Sequence, residues 1–177
     1  MRFVAFLRGI NVGGRRPVKM EELRAAFSVL DFRDVRTVQA SGNVVFEAPD
    51  GETEAAVGAA VAAGLERSLG YPVQLLVRPV GELEALVESA PFAGVPVSPA
   101  TRLYVTFLSS PGENETDLGP SRDDRITLVR VTGREVLTAI ELAPGWGTTE
   151  LMSWLEKAFG RDVTTRNWNT ILKIVGR

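Results

Sequence analysis

The chain has 177 residues, of which 45% are hydrophobic and 24% charged, and its formal net charge is −2. This composition is typical of a globular protein with one domain or two small ones. Because the sequence contains neither cysteine nor histidine, disulfides, thiol nucleophiles and histidine-dependent triads are excluded, and zinc would have only carboxylate ligands, on which it seldom relies.

The first half of the chain predicts the order strand, helix, strand, strand, helix, strand from its apolar spacing. This order is that of the ferredoxin-like βαββαβ plait, which has one antiparallel four-stranded sheet and two helices on one face. Gly64 lies inside the second helix, where glycine costs about 1 kcal/mol relative to alanine unless a neighbour packs closely against it. The predicted segments are residues 2–8, 20–30, 35–38, 44–47, 53–70 and 73–77.

The second half predicts a smaller and less regular α+β subdomain, without an internal sequence repeat. A hairpin is expected around Thr132-Gly133, and a final helix is expected to open at Thr164. The remaining predicted elements are a helix from Pro79 to Pro91, a strand at 103–107 and a helix that includes Leu151, Leu155 and Phe159. The predicted fold class is therefore α+β, with domains at 1–78 and 79–177 and the C-terminal helix packed back near the N-terminal loop.

Charge is distributed unevenly along the chain. Residues 1–46 contain eight basic and four acidic side chains, and residues 161–177 contain four and one, whereas residues 47–160 contain eight and seventeen. If the two basic ends meet in the fold, they create a local positive field that the net charge conceals. The short apolar run at the N-terminus does not fit a signal sequence, and no 18-residue apolar run exists, so we expect a cytoplasmic protein without a membrane span.

The loop after the first strand is the first candidate site. Its glycines, Gly9, Gly13 and Gly14, permit close backbone approach, and successive N–H groups there can cradle an anion. Arg8 and Arg15 add fork-shaped donors, but the sequence does not match a known phosphate-binding motif. The alternative is a glycine-rich turn with solvated arginines.

Two further segments carry polar side chains. The turn Ser41-Gly42-Asn43 either faces a ligand or satisfies its own backbone. In the final helix, Arg166, Asn169, Thr170 and Lys173 fall on one side at 100° per residue, opposite an apolar side. A helix capped by Thr164 or Thr165 would offer its N-terminus and Arg166 to a phosphate or carboxylate. The alternative is that Arg166, Asn167 and Asn169 bind neighbouring loops and dock the helix.

The combination of these segments resembles the family of bacterial proteins known as domain of unknown function 1697. The resemblance is carried by Leu7-Arg8-Gly9-Ile10-Asn11-Val12-Gly13-Gly14, by Ser41-Gly42-Asn43-Val44-Val45-Phe46 and by Thr164–Thr170 with Lys173. It implies an α+β fold with a ferredoxin-like part and no established activity. Two positions depart from the family pattern: Asp31 replaces the usual glycine of Leu-Gly-Phe, and Val38 stands where an aromatic residue is common.

Three hypotheses about function follow. The first is binding of a small anion, such as a nucleotide, a phosphorylated metabolite or a nucleic-acid phosphate, in a cleft between the glycine-rich loop and the C-terminal helix. The second is an enzyme in the same cleft that acts through arginine and backbone N–H groups, and the third is a structural or protein-interaction module. No metal site is predicted, the cofactor and oligomeric state are unknown, and the aromatic pattern of an RRM is missing. The predicted ligand-binding residues are Arg8, Asn11, Gly13, Gly14, Arg15, Ser41, Asn43, Thr165, Arg166, Asn167, Asn169 and Lys173.

Overall fold

The computed structural model describes residues 1–10, 18–28, 30–39, 42–109 and 124–177. It divides the chain into two compact units, which we call unit 1 and unit 2. Unit 1 comprises Met1–Ala85 together with Leu172–Arg177, and unit 2 comprises Leu86–Ile171. Each unit contains one antiparallel four-stranded sheet and helices, so the predicted α+β class is confirmed.

Unit 1 has the predicted order of elements. Its sheet has the strand order β2-β3-β1-β4, and all three neighbouring pairs are antiparallel. A third helix follows β4 without a connecting loop and continues into unit 2. The elements are β1 (Arg2–Leu7), α1 (Met20–Ser28), β2 (Arg33–Val38), β3 (Asn43–Glu47), α2 (Glu54–Leu69), β4 (Leu75–Pro79) and α3 (Val80–Glu88).

The core of unit 1 lies between the sheet and the helices α1 and α2. Alternate residues of β1 and β3 point into it, because successive side chains of a strand face opposite sides of the sheet. Phe46 is fully buried at its centre, with its ring centroid 4.6 Å from that of Phe32, 5.2 Å from Phe27 and 6.3 Å from Phe3. These four rings form an aromatic cluster in the core of unit 1.

The residues that predicted the two ends of helix α2 do mark its ends in the structure. Thr53 caps its start by accepting a hydrogen bond from the Ala56 amide at 3.2 Å, and Gly70 ends it in the left-handed conformation. A Cβ atom added at Gly64 would lie 2.5–2.9 Å from side-chain atoms of Leu30. The close neighbour that would offset the low helix propensity of Gly64 is therefore Leu30.

Unit 2 repeats the strand arrangement of unit 1. Its sheet has the order β6-β7-β5-β8, and β8 is followed without a connecting loop by a helix, as β4 is. The match extends to register: Arg78 of β4 lies opposite Val4, and Arg166 of β8 lies opposite Val105. This structural repeat was not visible in the sequence. The elements are β5 (Thr101–Leu108), β6 (Ile126–Val131), β7 (Glu135–Glu141), α4 (Thr148–Phe159), β8 (Val163–Asn167) and α5 (Trp168–Val175).

The end of the chain corrects one prediction. The segment that was expected to open the final helix at Thr164 is the strand β8, and α5 begins only at Trp168. The run Val163-Thr164-Thr165 is β-branched, a side-chain type that favours strands, and it pairs with β5. Neither Thr164 nor Thr165 caps the helix; Asn167 does so, because its Oδ1 accepts a hydrogen bond from the Asn169 amide at 2.9 Å.

Candidate functional site

The end of the unit 1 sheet brings two of the predicted segments together. The Leu7 amide donates to the Gly42 carbonyl at 2.8 Å, and the Arg8 amide donates to the Gln74 carbonyl at 2.8 Å. The chain leaves β1 with Gly9 in the left-handed region, at a φ of 70°. The root of the glycine-rich loop and the Ser41-Gly42-Asn43 turn therefore share one end of the sheet.

Gly42 lies close to the root of the glycine-rich loop. Its φ is 71°, and an added Cβ would lie 3.1 Å from Leu7 Cβ, 3.2 Å from the Leu7 carbonyl oxygen and 3.7 Å from Ile10 Cβ. Both the backbone conformation and the limited space thus favour glycine. Because Ile10 is the last described residue before the loop continues, Gly42 contacts the loop at its root.

Replacing Gly42 by alanine is expected to lower the free energy of unfolding by about 1–3 kcal/mol, because the side chain would add left-handed strain and a clash with the Leu7 backbone. Gly51 is a matched control, since its φ is 87° and an added Cβ would meet nothing within 4 Å. Urea denaturation should show a larger loss for Gly42→Ala than for Gly51→Ala. Equal losses would mean that the contact with Leu7 is unimportant.

Several predicted site residues lie outside the described residues: Asn11, Gly13, Gly14, Arg15 and Ser41. The described residues on either side of the loop are nevertheless fixed. Ile10 and Val18 are both buried in the same hydrophobic core of unit 1. After Val18, the Lys19 amide donates to the Glu22 carboxylate at 3.3 Å, at the start of α1. Residues 11–17 therefore connect two buried anchors.

Asn43 has a structural role in the turn. It is fully buried, and its side-chain amide donates to the Val38 carbonyl at 2.9 Å. This hydrogen bond joins the end of β2 to the start of β3. The contact corresponds to the alternative interpretation of the Ser41-Gly42-Asn43 turn, in which the polar side chains satisfy the local backbone. Arg8, by contrast, is partly exposed at the root of the loop.

Polar residues of β8 use their side chains within unit 2. Arg166 donates from Nη1 to Thr164 Oγ1 and to the Thr165 carbonyl, at 2.9 Å in both cases. The Thr165 hydroxyl lies 2.8 Å from that of Thr106 on the neighbouring strand. Burial lowers the pKa of Arg166 to about 10, so the guanidinium is still protonated at neutral pH. Arg166 is thus a partly buried strand residue and not a donor at a helix N-terminus.

The helix α5 carries the remaining predicted residues. Asn169 and Lys173 are exposed and one turn apart, so they share one side of the helix as predicted. Thr170, which was expected on the same polar side, is only 4% exposed. Within unit 1, the last turn of α5 is held by Arg36, whose Nη2 donates to the Ile174 carbonyl at 2.8 Å.

One pocket in unit 1 was not predicted. It has a volume of about 530 Å³ and is lined by charged residues of β1, β2 and β3, including Arg2, Asp34, Arg36 and Glu47. The sequence contains a weak sign of it, since Arg33-Asp34-Val35-Arg36 interrupts the apolar alternation of β2. The prediction placed only Val35–Val38 in this strand and therefore missed it.

The comparisons with known proteins identify the fold. The family model described as "Protein of unknown function (DUF1697)" matches residues 1–137. Among solved structures, the conserved bacterial protein SP0830 from Streptococcus pneumoniae is similar with a TM-score of 0.73 and 22% identity. The similarity covers 98% of this chain and 96% of the other. No curated protein matches the chain. Among the described residues, no helix combines the length and apolar character needed to cross a bilayer.

Proposed function

Since the chain belongs to the family described as "Protein of unknown function (DUF1697)", whose description assigns no activity, we propose a function from the geometry of unit 1. The proposed function is binding of a small anion, such as a phosphorylated metabolite or a nucleotide, by the glycine-rich loop after β1. The observation that carries the proposal is the contact of Gly42 with Leu7 and Ile10, which joins two glycine segments at one end of the sheet.

The chemistry of the loop supports an anionic ligand. The segment between the anchors Ile10 and Val18 contains Gly13, Gly14, Arg15 and Arg16. Backbone N–H groups of glycine-rich turns and arginine forks both bind phosphate and carboxylate oxygens. The loop also connects the C-terminal end of a strand to a helix, an arrangement that phosphate-binding proteins use repeatedly. Glu21 and Glu22 already occupy the first turn of α1, so the loop and its arginines, more than the helix dipole, would attract the anion.

A thermal-shift titration with inorganic phosphate, adenosine monophosphate and adenosine triphosphate tests this proposal. A ligand at 100 times its dissociation constant adds about 2.7 kcal/mol of stability. We expect Arg15→Gln to weaken binding by at least about tenfold, because a charge-assisted hydrogen bond contributes about 1.5–3 kcal/mol. Arg67→Gln is the matched control, since Arg67 is exposed on α2 and donates to the Ala63 carbonyl of its own helix.

The result that would contradict the proposal is the absence of a saturable shift with any of the three anions. An equal loss of anion affinity in Arg15→Gln and Arg67→Gln would also contradict the proposal. The loss would then come from the removal of one positive charge and not from the position of the arginine. Participation of α5 stays a prediction. It is tested by Lys173→Gln, which should weaken binding if the cation at this position contacts the same anion.

A structural module is the second candidate, and a specific observation favours it for part of the predicted site. Arg166, Thr165 and Asn167 all hydrogen-bond within unit 2, and Asn43 closes a hairpin in unit 1. If Arg166→Ala lowers the melting temperature of the free protein and leaves anion binding unchanged, these residues belong to the scaffold and the loop alone forms the site.

A further inference from the structure

An irregularity in β2 lies at the pocket of unit 1. Two residues of this strand, Asp34 and Val35, lie opposite the single Phe46 of β3, because the register shifts between Arg33 and Arg36. Asp34 has a φ of 50°, a conformation that aspartate and asparagine adopt more readily than most residues. Such a β-bulge interrupts the ladder and re-aims side chains, and bulges are often found beside binding sites.

The pocket lies on the face of the sheet opposite to α1 and α2. Arg2, Val45 and Glu47 alternate with residues that point into the core, such as Phe3 and Phe46. Its volume of about 530 Å³ is within the range of small-molecule sites, which is about 300–1,000 Å³. Among the residues that the structure describes, the lining consists of Arg2, Asp34, Val35, Arg36, Val45, Phe46 and Glu47.

Both arginines also have a contact outside the lining. Arg36 donates to the Ile174 carbonyl at 2.8 Å, and Arg2 Nη1 lies 3.7 Å from the Glu84 carboxylate in an exposed ion pair. A guanidinium has five N–H donors, so the hydrogen bond to Ile174 orients Arg36 and leaves it further donors for a ligand. The pocket thus presents two cations, one of which is oriented.

The pocket also contains two carboxylates, so it carries negative as well as positive groups. Glu47 lies directly opposite Arg2 in the register of β1 and β3, and Asp34 is exposed at the bulge. A simple anion would have to approach both carboxylates, and a simple cation both guanidiniums. A ligand that carries both charges can pair with groups of each sign, and like-charge contacts act against ligands with one charge only.

We propose that this pocket binds a zwitterionic ligand of the peptide class. The ligand carboxylate would bind the guanidiniums of Arg2 and Arg36, and its ammonium group would bind Asp34 and Glu47. This site is separate from the glycine-rich loop and does not depend on the proposed anion binding.

A nuclear magnetic resonance titration of the ¹⁵N-labelled full chain with glycylglycine tests the proposal. We expect saturable shifts at the amides of Arg2, Asp34, Arg36 and Glu47. N-acetylglycine, which lacks the ammonium group, and glycinamide, which lacks the carboxylate, should each bind at least about tenfold more weakly. Equal binding of N-acetylglycine would show an anion site and overturn the proposal, as would the absence of saturation.

The variant Asp34→Asn removes one charge while keeping a residue that tolerates the left-handed backbone. It should weaken glycylglycine binding by about tenfold. Asp31→Asn is the matched control, because Asp31 is also exposed and has a φ of 58°, yet does not line the pocket. If Asp34→Asn and Asp31→Asn bind glycylglycine with equal affinity, the proposal is wrong. Phosphate binding by the loop should be unchanged in Asp34→Asn, so failure at one site is distinguishable from failure at the other.

Discussion

Replacing Phe46 by alanine is expected to lower the free energy of unfolding by about 3–5 kcal/mol, the cost of a large cavity in a packed core. Phe46 is completely buried, and its ring lies within 6.3 Å of three other phenylalanine rings. The substitution therefore removes both buried apolar area and aromatic pair contacts, which add about 0.5–1.5 kcal/mol each. Urea denaturation followed by circular dichroism measures the effect.

Phe92→Ala is the control for this prediction. Phe92 is only partly buried, and its ring has an edge contact with Trp168 at 5.0 Å. We expect it to cost clearly less than Phe46→Ala. If Phe46→Ala lowers the free energy of unfolding by less than about 0.5 kcal/mol, which is the range of exposed positions, the aromatic cluster does not stabilise unit 1 as described.

The second large effect is expected at the ion pair between Arg78 and Glu54. Arg78 Nη1 lies 2.7 Å from Glu54 Oε1, and the side chains are 5% and 31% exposed. Removing one partner of a buried pair typically costs about 3–5 kcal/mol because a charge stays buried. Since Glu54 is partly exposed, solvent screening reduces this value, and we expect Glu54→Gln to cost about 2–3 kcal/mol.

Glu54 also lies in the first turn of α2, where a negative charge interacts favourably with the helix dipole. The double-mutant cycle with Arg78→Met separates this contribution from that of the pair. Glu66→Gln, at an exposed position of the same helix, should change stability by less than about 0.5 kcal/mol. A coupling energy near zero in the cycle would contradict the proposed role of the pair.

The elements of unit 1 were predictable because local and tertiary preferences agree there. The apolar spacing of α1 and α2 matches the faces they bury, and Thr53 and Gly70 mark the ends of α2.

The hairpin of β6 and β7 in unit 2 was also predicted and is confirmed. Asp31, where the resemblance implied a glycine, has a positive φ of 58°, so this position adopts the left-handed conformation with aspartate.

The end of the chain was predicted incorrectly because two patterns compete there. The spacing from Arg166 to Lys173 fits a helix, and the threonines before it can cap one. However, Val163, Thr164 and Thr165 are β-branched, and pairing with β5 places them in the sheet. A single sequence does not reveal which strand is available for pairing, so the helix was started four residues too early.

The candidate site was predictable only in part for a similar reason. Glycine spacing indicated the loop and the turn, and the contact of Gly42 with Leu7 and Ile10 now places their roots together. The pocket beside Asp34 lies at a register shift between β2 and β3, of which the run Arg33-Asp34-Val35-Arg36 is only a weak sequence sign. The burial of Asn43 likewise depends on the surrounding hairpin.

Unit 1 is built from two separate parts of the chain, and this determines when it can be completed during synthesis. This unit contains residues 1–85 but also Leu172–Arg177, so its last piece leaves the ribosome only after the whole of unit 2 has been translated. The Arg36 guanidinium can donate to the Ile174 carbonyl only after a further 138 residues have been added to the chain. A nascent chain halted between the two units would therefore hold an incomplete first unit, a species that a chaperone or a protease would encounter before the native protein exists.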